Sequence, residues 1–385
     1  MRSIYRATLA LAGFALAACG GEQPAPQPPP PPPPAPPVVA SAASTEAAPA
    51  PKPTQAELIQ KTMQSFGDAM NAGDAAKVAT LFATDGEWNA YGLDEMHGRE
   101  AIQKGAQQWA DMSKDAKGAP KRVFMKGNVV ASEVVFAGTM TGDFMGMKAT
   151  KKPFGLGDLL VISFNDDGLI ASIHDYFDGP GFMAQLQGKK DAPALMAPPT
   201  GAPEMHVAKG TPEEDKLADW LKGTIDTFNK DDAKALSALM APEGDVTFYL
   251  MGGKNIKTGK DLDKFHADLF KAVPNAKWAV TSAWGIDGYV VDERLFTGTM
   301  KGRLGPVPPT NKDFTSHIGE IIQPSADGKY EHAWVYGNPM EMAPPPPPKA
   351  APAAADTAKP KAAAAKPATG AATKPAAGAA AKPTK

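Results

Sequence analysis

The stretch GLIASIHDYFDGPGFMAQLQG, residues 168–188, decides how this chain folds. A turn signal at Asp166-Asp167-Gly168 opens onto Leu169–Phe177, whose β-branched and aromatic residues read as a strand. Alternation places Ile170, Ser172, His174, Tyr176 and Asp178 on one face, with Ala171, Ile173, Asp175 and Phe177 on the other. Both sets mix polar and apolar residues. The first set strings an imidazole, a phenol and a carboxylate along one line, about 7 Å apart, and is taken as the pocket-lining face. If the pocket hosts proton transfer, His174 serves as the base, Asp178 as an alternative base whose pKa needs an apolar wall to rise, and Tyr176 as a donor to oxygen. The competing reading makes His174 an ordinary strand residue and Asp178 the cap of a helix over Gly181–Leu186.

This stretch closes the first of two copies of one module, residues 54–190 and 211–340. Phe136-Ala137-Gly138-Thr139-Met140-Thr141-Gly142 returns as Phe296-Thr297-Gly298-Thr299-Met300-Lys301-Gly302. Asp74-Ala75 returns as Asp232-Ala233, and Val161-Ile162 as Ile321-Ile322, at nearly constant offset. Two copies of this length predict two similar domains. Each opens on a capped helix: Thr54 with Glu57, and Thr211 with Pro212 and Glu214. Ile59, Met63, Phe66 and Met70 then recur at helical spacing, as do Leu217, Leu221, Ile225 and Phe228. A second short helix, a strand at Glu87–Tyr91, a third helix after Gly98 and a strand-rich back half follow. The pattern is α+β: two tandem cone-shaped domains, each a curved, mainly antiparallel sheet wrapped on about three helices.

Helix one, then DAAKVATLFATDG, then HGREAI, then the opening stretch together resemble the nuclear-transport-factor-2-like superfamily. Tyr176, Asp178, Gln185, Leu186 and Gly188 are similar to the terminal strand and helix of the SnoaL-like polyketide cyclases. The resemblance implies an apolar pocket between sheet and helices, proton transfer beside a carbonyl as a common chemistry, and dimerisation through the opposite sheet face. In superfamily enzymes of that kind the general base is an Asp near the end of the first strand. The matching positions here are Ala90 and Phe248, so that base is missing from both modules. The second module has Tyr330, His332, Trp334, Tyr336 and Asn338 on its terminal strand, keeping a phenol and losing the carboxylate. Aromatic walls with little to titrate suit an apolar ligand, and Trp88, Tyr91, Tyr330, Trp334 and Tyr336 are the expected binding residues.

Outside the modules, Arg2 and Arg6 precede an apolar run ending in Leu16-Ala17-Ala18-Cys19, and Cys19 is the only cysteine. This resembles a bacterial lipobox: residues 1–18 form a signal peptide, and lipid on Cys19 anchors the chain to a membrane. Gly20, where an Asp would favour inner-membrane retention, directs the expectation to the outer membrane of the cell envelope. Residues 19–53 form a Pro-rich tether, with Pro28–Pro34 as a polyproline II spacer. Residues 191–210 read as a linker, and residues 341–385, of Ala, Lys and Pro, as a disordered tail. A net charge of −2 argues against nucleic-acid binding. The six histidines are scattered, so no metal is expected, and without a Walker sequence or dinucleotide fingerprint no cofactor is expected either. Three readings stay open: a binder of a small, largely apolar ligand, a cyclase, isomerase or hydratase working through domain 1, and an envelope scaffold. Sheet-to-sheet pairing, between domains or between chains, is compatible with each.

Overall fold

The computed structural model describes residues 52–305 and 307–342. The signal peptide, Cys19, nearly all of the tether and the tail beyond Met342 lie outside the described residues. Domain 1 runs α1 (Gln55–Ala72), α2 (Ala75–Thr80), β1 (Phe82–Ala90), β2 (Asp94–His97), α3 (Gly98–Met112), β3 (Lys117–Lys126), β4 (Val129–Thr139), β5 (Pro153–Phe164), β6 (Ile170–Tyr176) and α4 (Gly179–Leu186). A short strand, β7 (Glu204–Val207), follows. Domain 2 repeats the order: α5 (Pro212–Phe228), α6 (Ala233–Ala238), β8 (Met240–Phe248), β9 (Lys254–Ile256), α7 (Gly259–Ala272), β10 (Lys277–Ile286), β11 (Tyr289–Thr299), β12 (Asp313–Pro324) and β13 (Tyr330–Gly337). No helix among the described residues is long and apolar enough to cross a membrane.

Local chemistry explains the helix starts. Thr54 accepts from the Glu57 N–H while the Glu57 carboxylate reaches back to the cap, and Thr211 with Glu214 does the same for α5. Each cap contributes about 1 kcal/mol. Asp74 and Asp232 cap α2 and α6 from matching positions. The strand orders, β2-β1-β6-β5-β4-β3-β7 and β10-β11-β12-β13-β8-β9, coincide once the second is read backwards and β7 is set aside. The α+β architecture of two tandem domains is therefore the one the sequence predicts.

One face of each sheet packs on helices. In domain 1, Ile59, Phe66 and Ile102 bury Trp88, Ile162 and Ile173. In domain 2, Leu221, Phe228 and Leu262 bury Val246, Ile322 and Ala333. The other faces pack on each other. Phe124, Leu159, Val161 and Tyr176 share one buried cluster with Trp284, Val291, Ile321 and Tyr336. Gly319 sits where the sheets come closest, and a Cβ there would lie 2.9 Å from both Leu159 and Tyr176. Register matches Gly319 to Leu159 itself, since each pairs with the tyrosine of the next strand. A protrusion on one sheet thus meets a glycine on the other.

The stretch read as linker supplies β7, which pairs in parallel with β3 from Arg122–Glu204 to Met125–Val207. His206 stacks on Phe124, with ring centroids 4.8 Å apart, and its Nδ1 lies 3.0 Å from Asp287 of domain 2. An otherwise open sheet edge is covered in this way.

Candidate functional site

β6 keeps the predicted alternation from Ser172 to Tyr176 with its faces opposite to expectation, and an irregularity at Ala171 puts Ile170 in the helix-side core with Ile173. His174 and Tyr176 turn away from the helices and towards domain 2. The His174 Nδ1 lies 2.6 Å from Glu293 Oε1, and the Tyr176 hydroxyl donates to the same oxygen at 2.7 Å. Asp178 joins neither; its carboxylate caps α4 by accepting from the Gly181 N–H at 2.9 Å. The physical reason is that domain 2 buries the outer sheet face, so both faces carry apolar residues and polarity alone cannot tell inside from outside.

A matching contact occurs across the approximate two-fold relation. Tyr336 of domain 2 donates to Glu133 Oε1 of domain 1 at 2.7 Å. Glu133 also meets Arg122 at 2.6 Å, and that guanidinium lies 3.6 Å from the centre of the Trp334 ring. Burial would raise the Glu133 carboxyl, but Arg122 beside it holds it below the usual carboxylate range. The two contacts differ in one respect: Ser282 pairs with Glu293 where Arg122 pairs with Glu133. Tyr91 belongs to the same interface, stacked on His317 with ring centroids 3.9 Å apart. Of the five expected ligand-binding aromatics, Tyr91, Trp334 and Tyr336 therefore sit between the domains. Trp88 and Tyr330 line cavities within them.

The domain 1 cavity has a volume of about 120 Å³ and lies between the sheet and α3. Trp88, Trp109, Phe136, Phe144, Phe177 and Phe182 form most of its wall, with Ala90 at the position matched to the missing base. Two carboxylates, Asp158 on β5 and Asp175 on β6, also line it, and both are buried. Asp175 accepts from the Trp88 indole N–H at 3.1 Å, and one oxygen of each carboxylate, Oδ1, has no partner. Burial raises Asp175 to about 7, with the Trp88 hydrogen bond opposing it. Burial and then the charge of Asp175 push Asp158 well above the usual range. One acid that keeps its proton beside one that titrates near neutrality is an arrangement able to donate and accept protons.

Domain 2 has a cavity of about 80 Å³ with different chemistry. Register puts Ile318 and Val335 where domain 1 has Asp158 and Asp175. Arg294 lines this cavity, takes the place of Val134, and holds Asp292 in a two-pronged ion pair at 2.7 and 2.6 Å. The same guanidinium bonds Glu320. His266 also faces the cavity, its Nδ1 unpartnered, and burial lowers it to about 4. Among the described residues no group of three or more His, Cys, Asp or Glu could hold a metal ion.

The model of the SnoaL-like polyketide cyclase family matches residues 60–186 and again residues 218–344, well over half of the chain. The chain belongs to that family. Among solved structures, IdmH, a putative polyketide cyclase from Streptomyces antibioticus, is 26% identical, covering 34% of this chain and 98% of its own, with a TM-score of 0.30. A putative polyketide cyclase from Xanthomonas campestris pv. campestris is 20% identical over 34% of this chain and 98% of its own, with a TM-score of 0.32. A putative SnoaL-like polyketide cyclase from Jannaschia sp. CCS1 is 13% identical over 35% and 95%, with a TM-score of 0.32. No curated protein matches.

The cavity carboxylates of the first SnoaL-like domain escaped the sequence reading, although one signal was present. Asp158 interrupts the apolar run Leu156–Phe164, and Asp175 lies between Ile173 and Phe177 on the face that was set aside. The buried acids also fix a pH dependence. Burial raises Asp178 to about 6 against the pull of the Gly181 and Gly252 N–H groups, and raises Glu320 to about 7 against the pull of Arg294. Each keeps its proton to higher pH when folded than when unfolded, where carboxylates titrate near about 4. Their contribution is therefore complete below about 4 and lost as pH rises towards about 7, at roughly 1.4 kcal/mol per unit per group. Glu133 works the other way, its stabilisation being lost only as pH falls below the ordinary range. Thermal unfolding should give a higher midpoint at pH 5 than at pH 8, and a flat profile would contradict the assignment of these acids.

Proposed function

We propose that this chain is a lipid-anchored protein of the cell envelope, held through Cys19, whose first SnoaL-like domain encloses a small, largely apolar molecule. One observation carries the reading: an aromatic-walled hollow of about 120 Å³ with two buried carboxylate oxygens that no side chain of the protein satisfies. By the rule that roughly 10–15 Å³ of such space holds one water, the hollow has room for on the order of ten non-hydrogen atoms. An orphaned buried polar atom costs about 1–3 kcal/mol, and a ligand that meets it recovers that loss.

A second reading, acid–base turnover, is favoured by the unequal protonation of the two acids. In it Asp175 takes a proton and Asp158 returns one, while His174 and Tyr176 join the domains and Asp178 caps α4, none of them touching substrate. The binding reading predicts that native mass spectrometry of the full chain detects a bound small molecule, and that a bulky Ala90→Trp variant loses it while Tyr91→Phe retains it. A chain that never carries a ligand, or an Ala90→Trp variant that carries it unchanged, rejects the reading. Turnover, if present, should disappear in Asp175→Asn with ligand retained.

A further inference from the structure

We infer that the ligand of the domain 1 cavity is an amine, a cation carrying compact apolar substituents, with Asp158 and Asp175 as its counter-charge. The inference rests on the binding reading above and specifies its chemistry. Every ionisable side chain lining the cavity is an acid: Asp94 nearer the mouth, Asp158 and Asp175 within. The lining contains no Lys, Arg or His. The free Oδ1 atoms of Asp158 and Asp175 can only accept once ionised, so the donor has to arrive with the ligand. Domain 2 makes the point by contrast. There the chain supplies its own cation, Arg294, which satisfies the acids Asp292 and Glu320 beside the cavity.

The walls suit the same class. Trp88, Trp109 and Phe177 line the cavity, and aromatic rings can both attract a cation and bury alkyl groups. A carboxylate-bearing ligand would bring a negative charge and no donor to a cavity lined by acids, and is excluded. The ammonium pairs with the ionised acid while its neighbour keeps its proton, so the buried charges balance; no bond to carbon changes.

The test uses calorimetric titration of the full chain at neutral pH with three probes of one shape: cyclohexylamine, cyclohexanol and cyclohexanecarboxylate. Cyclohexylamine should bind at least about tenfold tighter than cyclohexanol, the scale of one charge-assisted hydrogen bond, and the carboxylate should not bind. In the near-isosteric Asp158→Asn/Asp175→Asn chain that advantage should vanish. Equal or tighter binding of cyclohexanol to the natural chain would overturn the amine assignment and leave the cavity reading standing. Failure of all three probes would remove both. Should the double variant not fold, the comparison of probes on the natural chain decides alone.

Discussion

Replacing Arg294 by Met should cost about 3–5 kcal/mol of stability at neutral pH, the scale of removing one partner from a buried ion pair. Arg294 is wholly buried and is the shared partner of Asp292 and Glu320, which are buried too. Those acids face each other directly across β11 and β12. Without the guanidinium, two like charges would sit opposite one another in an apolar core. Denaturant unfolding should show the loss at pH 8 and a clearly smaller one at pH 5, where the freed acids become neutral. Domain 1 contains the apolar solution to the same site: Ser132, Val134 and Leu160 hold the matching positions. Grafting them as Asp292→Ser, Arg294→Val and Glu320→Leu together should recover most of the stability that Arg294→Met alone loses. A cost below about 1 kcal/mol for Arg294→Met would mean that the triad is wetter than its burial indicates.

Glu133→Gln should be the second severe change, again about 3–5 kcal/mol, whereas Glu293→Gln should cost only about 1 kcal/mol. The two glutamates occupy matching places and each accepts from a tyrosine of the opposite domain. Their other partners set the difference. Arg122 cannot shed its charge, so Glu133→Gln strands a buried guanidinium beside Trp334. Glu293 faces the half-exposed His174 rather than a buried guanidinium, and an amide still accepts from Tyr176. Equilibrium unfolding of the two variants gives the comparison. Adding Arg122→Ser to Glu133→Gln, which reproduces the Ser282 arrangement of domain 2, should restore most of the loss. Equal costs for the two glutamines would show that the asymmetry has no energetic meaning.

Much of the architecture was legible because its signals are local. Capping boxes at Thr54 and Thr211, apolar stripes such as Ile59–Met63–Phe66 and the repeated Phe-x-Gly-Thr-Met segment each report on their own neighbourhood. What the chain does with a sheet face is not local. Tyr176, Tyr91 and Tyr336 resemble pocket aromatics in sequence, and only the presence of a second sheet turns them into interface residues. β7 was hidden for a similar reason: Glu204–Val207 sits among prolines and glycines, and its order comes from the free edge of β3 and from the stacking of His206. Asp158, Asp175 and Arg294 were the costlier omissions. A charged residue inside an apolar strand marks either a site or a satisfied core group, and the choice depends on what faces it from other strands. In domain 2 an arginine does; in domain 1 no cation does.

Pairing two halves within one polypeptide, protrusion against glycine, has a consequence for how this protein behaves at low abundance. Tethered partners experience an effective concentration on the order of millimolar, whatever the number of molecules in the cell. Assembly is then insensitive to expression level, and no symmetry operator forces the two halves to mutate in step. One half was left free to set an arginine beside its hollow, while its neighbour kept two unpaired acids there.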